Sequence, residues 1–202
     1  FNISDDQSEF QINDRMSFMR FLGLTLGEKV PDAKTIWLFR EQLTKANLIR
    51  VLFDDFDCQL QDKGFKARKG QIVDASFIDA PVQRNSRDEN AQIKQGETPQ
   101  RFKDNPNVAR QKDTNARWTQ KNGEKFYGYK DHVAIDNDHK LIRDYKVTSA
   151  EVHDSKVFHE ILSENTSQDV WADSAYRSEE GEIALSAGGY RSHVNVKGKC
   201  NQ

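Results

Sequence analysis

Within the run Lys63-Gly64-Phe65-Lys66-Ala67-Arg68-Lys69-Gly70 the hydrophobic period of the chain changes from about 3.6 residues to about 2. That switch constrains the architecture most: helices before it, strands after it. Upstream, Phe18, Phe21 and Leu22 share a helical face. Pro31 and Asp32 start a second helix carrying Ile36, Phe39 and Leu43 at i, i+3 and i+7. Leu48, Leu52, Phe53, Phe56 and Leu60 form a third pattern that ends at Gly64, a residue suited to the C′ position. Three short amphipathic helices with a turn around residues 27–31 fit two architectures, a helix-turn-helix and a small helical packing unit.

Downstream, "GQIVDASFIDAP" reads as a strand over residues 71–79, punctuated by Gly70 and Pro81. Residues 126–135 alternate, with Tyr127, Tyr129, Asp131 and Val133 on one face and Lys130 and His132 on the other. A turn at residues 136–139 leads into "KLIRDYKVTS", which predicts an antiparallel hairpin. Next come a helix from Asp154 or Ser155 with Val157, Phe158, Ile161 and Leu162 as its apolar face, and a short strand in "QDVWADSAY". A helix over residues 179–187, ended by Gly188-Gly189, and a last strand "YRSHVNV" complete the pattern. The order predicts a mixed sheet with crossover helices, an α/β domain. Between the first strand and the hairpin, about residues 82–124 form a polar segment whose length marks a functional loop or a disordered one.

Composition narrows the class. With 202 residues, 36% hydrophobic and 31% charged, the chain suits one sizeable domain or a medium one plus a small one, and is not disordered. It has no apolar run of membrane-spanning length and no signal-peptide pattern, so a soluble cytoplasmic protein is expected. Cys58 and Cys200 form no metal-like or redox pair. Opening on Phe1 rather than methionine, the chain is expected to be part of a longer gene product. The net charge of −2 argues against a nucleic-acid coat. It hides an asymmetry: residues 1–60 hold 7 Lys/Arg against 10 Asp/Glu, whereas residues 81–130 hold 11 against 6. In the basic region Arg110, Lys112, Arg117, Trp118 and Lys121 set cations beside an aromatic, a combination that can follow a phosphate backbone and stack on a base. A solvated loop gives the same composition.

Asp74 and Asp173 each close or interrupt a short apolar strand and precede small residues, "IVDAS" and "VWADSA". If the two strands are neighbours, the carboxylates repel unless they share a proton or a hard divalent cation. Mg²⁺ suits such donors, and two ions can clamp the attacking and leaving oxygens of a phosphoryl transfer. A turn or helix cap is the structural alternative for either residue alone. Asp154 reads as an N-cap, His153 as a phosphate or ligand-supporting candidate, and Lys130 and His132 as phosphate-facing candidates on one strand face. The chain has no P-loop, dinucleotide fingerprint or Cys/His zinc spacing.

"GQIVDASFIDAP", "WTQKNGEKFYGYKDHVAID", "VTSAEVHDSKVF" and "VWADSAYRS", in that order, resemble bacterial insertion-sequence transposases of the DDE type, in particular the insertion-sequence-five group. The opening "SFMRFLGLTLGEKVPDAKTIWLFREQL" is similar to their helical N-terminal domain, so the resemblance spans nearly the whole chain. It implies a helical domain over residues 1–66 and a ribonuclease-H-like catalytic domain over residues 67–202. It also implies Mg²⁺ or Mn²⁺ as cofactor, DNA as partner at element ends and target, and a homo-oligomer on DNA. Asp74 matches the family's first catalytic aspartate and Asp173 the second; His153 and Asp154 match a recurrent motif. The third acid of the family is a glutamate on a helix beyond the "VKGK" region, past which the chain stops at Gln202. Glu179, Glu180 and Glu182 follow Asp173 too closely to replace it. The expectation is a catalytically incomplete transposase chain, or a DNA-binding, regulatory remnant of one.

Overall fold

The computed structural model describes residues 3–80, 83–121 and 123–196. The chain divides into two compact units, Phe1–Lys63 and Gly64–Gln202.

The first unit is helical: α1 (Asp5–Asp14), α2 (Met16–Phe21), α3 (Ala33–Lys45) and α4 (Ile49–Asp62). Side chains start two of them, as Gln7 N–H donates to Ser4 Oγ at 3.2 Å and Thr35 N–H to Asp32 Oδ1 at 2.7 Å. The expected stop after α4 is present, with Gly64 at φ +94°. Glu9 on α1 accepts from the Ala33 N–H at 2.8 Å, and Arg40 on α3 reaches Asp5 at 2.6 Å. These contacts tie α3 to α1, where hydrophobic packing is thin: among the described residues of this unit only Ile12 and Met19 are buried, and α3 and α4 bury no residue.

The second unit is a mixed α/β layer built on β1 (Gln71–Asp79), β2 (Arg117–Lys121), β3 (Glu124–Asp136), β4 (Ile142–Ser149), β5 (Asp169–Ala172) and β6 (Arg191–Ser192). The sheet path is β2-β3-β1-β5-β6, with β4 also on β3. The C-terminal half of β3 lies between β1 and β4, both antiparallel to it, and its N-terminal half pairs with β2. Strands β1, β5 and β6 run parallel. Leaving β2 aside, the order β4-β3-β1-β5-β6 is the ribonuclease-H-like arrangement expected from the resemblance.

One face of the sheet carries the core. Val73, Ala134, Val170 and Ala172 project onto Val157, Phe158, Ile161, Tyr176, Leu185 and Val194. The expected helix after the hairpin is instead a pair of 3₁₀ turns, Asp154–Lys156 and Phe158–Glu160, which still deliver Val157, Phe158 and Ile161 to the core. Helix α8 (Glu179–Ala187) follows β5 as expected and contributes Leu185. The last strand is shorter than "YRSHVNV", although His193 N–H and Asn195 N–H continue the ladder onto Val170 and Ala172 at 2.8 and 3.1 Å.

Two polar anchors set the ends of this layer. At the hairpin turn, Asp136 and Arg143 pair at 2.8 Å with side chains essentially buried, and Arg143 also donates to the Phe65 carbonyl at 2.6 Å. Removing either partner of a buried pair costs about 3–5 kcal/mol. At the start of β1, the Asn165 amide closes a two-way bond with the Gly70 backbone, 2.9 Å in each direction. Gly70 sits at φ +81°, and a Cβ there would collide with the Asp169 carbonyl and the Trp171 ring, so the close approach of β1 to β5 requires glycine.

The polar segment before the hairpin is structured. It holds α5 (Arg87–Lys94), α6 (Gln100–Asp104), α7 (Pro106–Ala109) and β2. A reciprocal capping box opens α5, with Ser86 and Glu89 bonded to each other's backbone N–H. Buried Phe102, the Tyr127 hydroxyl on the Asp113 carbonyl at 3.1 Å and the Tyr129 hydroxyl on Asp113 Oδ2 at 2.6 Å fix the segment to β3.

Candidate active site

Strand alternation decides which side chains meet. Val73 is buried in the core, so Asp74 projects to the opposite face and is exposed. Val73 is in register with Ala172 on the parallel neighbour β5. Asp74, within β1, and Asp173, the residue just after β5, therefore each follow that pair along two adjacent strands whose axes lie about 4.8 Å apart. Both are exposed at the C-terminal end of this parallel pair. Each carboxylate is oriented by a nearby backbone amide: Ala75 N–H donates to Asp74 Oδ1 and Ala175 N–H to Asp173 Oδ1, both at 2.8 Å. Among the described residues no basic side chain pairs with either.

Two exposed carboxylates without a cationic partner are a donor set for a hard divalent ion, because Mg²⁺ is held by one or two carboxylates and completed by water and substrate phosphate. Among the described residues no group of three His, Cys, Asp or Glu is placed to hold a metal. Glu182 is engaged elsewhere, accepting from the Ser192 hydroxyl at 3.0 Å. The region expected to precede a third acid, from residue 197 onward, lies outside the described residues.

Behind the carboxylates, on the core face, stands a buried polar network. Lys130 Nζ donates to Asp154 Oδ1 at 2.8 Å and to the Val152 carbonyl at 2.7 Å. His132, fully buried, is hydrogen-bonded to the Tyr176 hydroxyl at 3.2 Å and to Thr148 Oγ1 at 3.0 Å. Burial pushes the His132 imidazole below its ordinary range. Burial, and then the charges of Asp154, Asp74 and Asp173, push the Tyr176 phenol well above its usual value. Tyr176 N–H also donates to the Asp173 carbonyl at 3.2 Å, so the network reaches the turn that carries Asp173.

The remaining expected site residues fall in different places. His153, not Asp154, caps the first 3₁₀ turn, taking the Ser155 N–H at 3.3 Å and the Ser155 hydroxyl at 2.8 Å. Asp154 is the buried partner of Lys130, so neither of that pair is free to meet a phosphate from solvent. Lys112 is engaged too, donating to the Arg84 carbonyl at 2.6 Å and lying 3.6 Å from Glu89. Arg117 donates to the Thr114 carbonyl at 2.6 Å and faces Glu151 at 3.6 Å. Arg110 and Lys121 are exposed, and Lys121 lies over the Phe77 ring at 5.7 Å. Trp118 is half-buried, its indole N–H on the Asn85 carbonyl at 3.2 Å and the Arg84 guanidinium 5.5 Å above its ring. Tyr176 and Arg84 are residues that the sequence reading missed. Tyr176, three positions after Asp173, is signalled only by its spacing from that aspartate.

The profile of the family described as Transposase DDE domain matches residues 65–200, and that of a second family, described as a transposase domain, matches residues 1–42. No solved structure matches the chain. Among the described residues, no helix is long and apolar enough to cross a membrane. With a match over most of its length, spanning both Asp74 and Asp173, the chain belongs to the DDE transposase family.

Proposed function

We propose that the protein is the transposase of an insertion sequence, acting on DNA at the element ends by metal-dependent phosphoryl transfer. The observation that carries this reading is the position of Asp74 and Asp173, each exposed and one residue beyond the Val73–Ala172 pair of the parallel strands β1 and β5, in a chain of this family. When bound there, Mg²⁺ or Mn²⁺ supplies Lewis acidity toward phosphate oxygens and lowers the pKa of attacking water. The protein's part is orientation. The Ala75 and Ala175 amides aim the carboxylates, while His132, through Tyr176, holds the turn after β5 in place. The Lys130–Asp154 pair fastens the segment after β4 to β3 behind them.

DNA is the proposed substrate and a second copy of the chain the proposed partner, since two ends must be joined together. Exposed Trp37, Leu38 and Phe39 on α3 and Phe56 on α4 supply apolar surface for self-association. The proposed boundary between a helical assembly domain and the catalytic domain lies near residues 63–67. Action on bacterial DNA places the protein in the cytoplasm.

A second reading, a DNA-binding regulator with little catalysis, is favoured by the exposed basic side chains of Arg110 and Lys121 in the polar segment. With Mg²⁺ and a DNA fragment carrying element ends, this 202-residue chain is expected to bind but to give little strand transfer. Efficient joining contradicts the need for a third acid. Binding is expected to weaken steeply with added salt as phosphate contacts are replaced by ions; absence of binding at low salt contradicts both readings.

A further inference from the structure

The basic segment contains a second arrangement that the carboxylate chemistry does not use. Two open hollows, about 270 and 210 Å³, share Arg87 and Trp118 as walls. Lys125 lines the first, and Asn90, Lys94 and Arg117 line the second. Each lies below the roughly 300–1,000 Å³ of a small-molecule pocket, which leaves room for about one planar ring.

Asn90 is the telling residue. It is 6% exposed, yet among the described residues neither its amide oxygen nor its amide nitrogen has a hydrogen-bond partner. A buried amide left unpaired lowers stability, so folding alone gives no reason for it. An amide presents one acceptor and two donors side by side, which matches the paired donor and acceptor edge of a nucleobase. A phosphate has only acceptors and cannot satisfy both ends. Beside it, Trp118 offers an aromatic ring on which a cation, Arg84, already rests. Arg87 and Lys125 have no anionic partner among the described residues, while Lys94 and Arg117 share Glu151. Exposed cations flanking an aromatic wall suit a strand whose phosphates lie outside and whose base turns inward.

We infer that the hollows at Trp118 form a site for one unpaired DNA nucleotide, its base stacked on Trp118 and its edge bound by the Asn90 amide. The inference rests on the proposed action on DNA and deepens it, assigning α5 and β2 the capture of an unstacked base away from the carboxylates.

The test is fluorescence anisotropy on the full chain in EDTA, so that metal chemistry does not enter. The probes are a labelled single-stranded DNA 12-mer and the same strand with abasic sugars at its four central positions. The wild-type chain is expected to bind the base-bearing strand about tenfold more tightly. Asn90→Leu and Trp118→Ala each bring that ratio close to one and leave abasic affinity unchanged. Asn90→Leu is also expected to melt at or above the wild-type temperature, because it removes two unpaired buried polar atoms; a structural amide would give the opposite. Equal affinity of the wild type for both strands overturns the inference while leaving the proposed action on DNA standing. Loss of abasic binding in a folded Asn90→Leu chain also overturns it. Absence of binding to either strand overturns the DNA reading as well.

Discussion

Among the described residues Asp74 is held only by a neighbouring amide, whereas Lys130, three strand positions from Asp74's cross-strand partner Val133, is locked to Asp154. The contrast separates the two kinds of charge in this sheet. An exposed carboxylate without a basic partner is available for chemistry; a paired one behind the sheet is there to orient it. His132 belongs to the second kind and makes stability depend on pH. Its folded pKa is depressed below 6.5 by burial, so between the folded and unfolded values the unfolded chain binds more protons. Stability present above the unfolded value is therefore lost as pH falls through the folded one. Urea midpoints are expected to drop on acidification below pH 6.5, and His132→Gln is expected to drop less steeply over the same window. Identical slopes would place the acid sensitivity elsewhere. At this scale the two aspartates were legible because each interrupts an apolar run. The Lys130–Asp154 pairing was not, since it joins residues 24 apart through a fold that periodicity does not specify.

At the scale of elements, the change of period at residues 63–70, the hairpin, β5 and α8 could be read because apolar spacing alone determines them. The segment from Ser86 to Ala109 could not: it has few apolar residues, and side-chain bonds hold it. Its one sequence signal was the capping box, Ser86 with Glu89, which periodicity overlooks. The 3₁₀ turns after β4 were read as a helix because Val157, Phe158 and Ile161 have helical spacing. Their geometry is set by His153 on Ser155 and Asp154 on Lys130 instead. If the capping box organises α5, Ser86→Ala costs about 1 kcal/mol and accelerates hydrogen exchange across residues 87–94, while exchange in β1 and β3 stays unchanged. Unaltered exchange in α5 would show that contacts such as Arg101 on Glu89 hold it without the cap.

Across the whole molecule, the candidate catalytic carboxylates and the uncovered apolar faces lie in different units. The sheet unit carries the aspartates and the basic segment; the helical unit carries exposed Phe21, Leu26, Trp37, Phe39 and Phe56. Sequence patterning identified the apolar helical faces, but a face reads the same whether it meets a core or a partner. Here α3 and α4 leave theirs uncovered among the described residues. Central to the proposed function is a divalent ion shared by Asp74 and Asp173 beside the Val73–Ala172 pair of β1 and β5. Iron-mediated cleavage tests it most directly: Fe²⁺ replaces the divalent ion, and ascorbate with peroxide cuts the backbone wherever the metal is bound. The account predicts cuts near residue 74 and near residue 173 together, with both lost in Asp74→Asn and in Asp173→Asn. Cuts at one position that survive substitution at the other would contradict a shared ion.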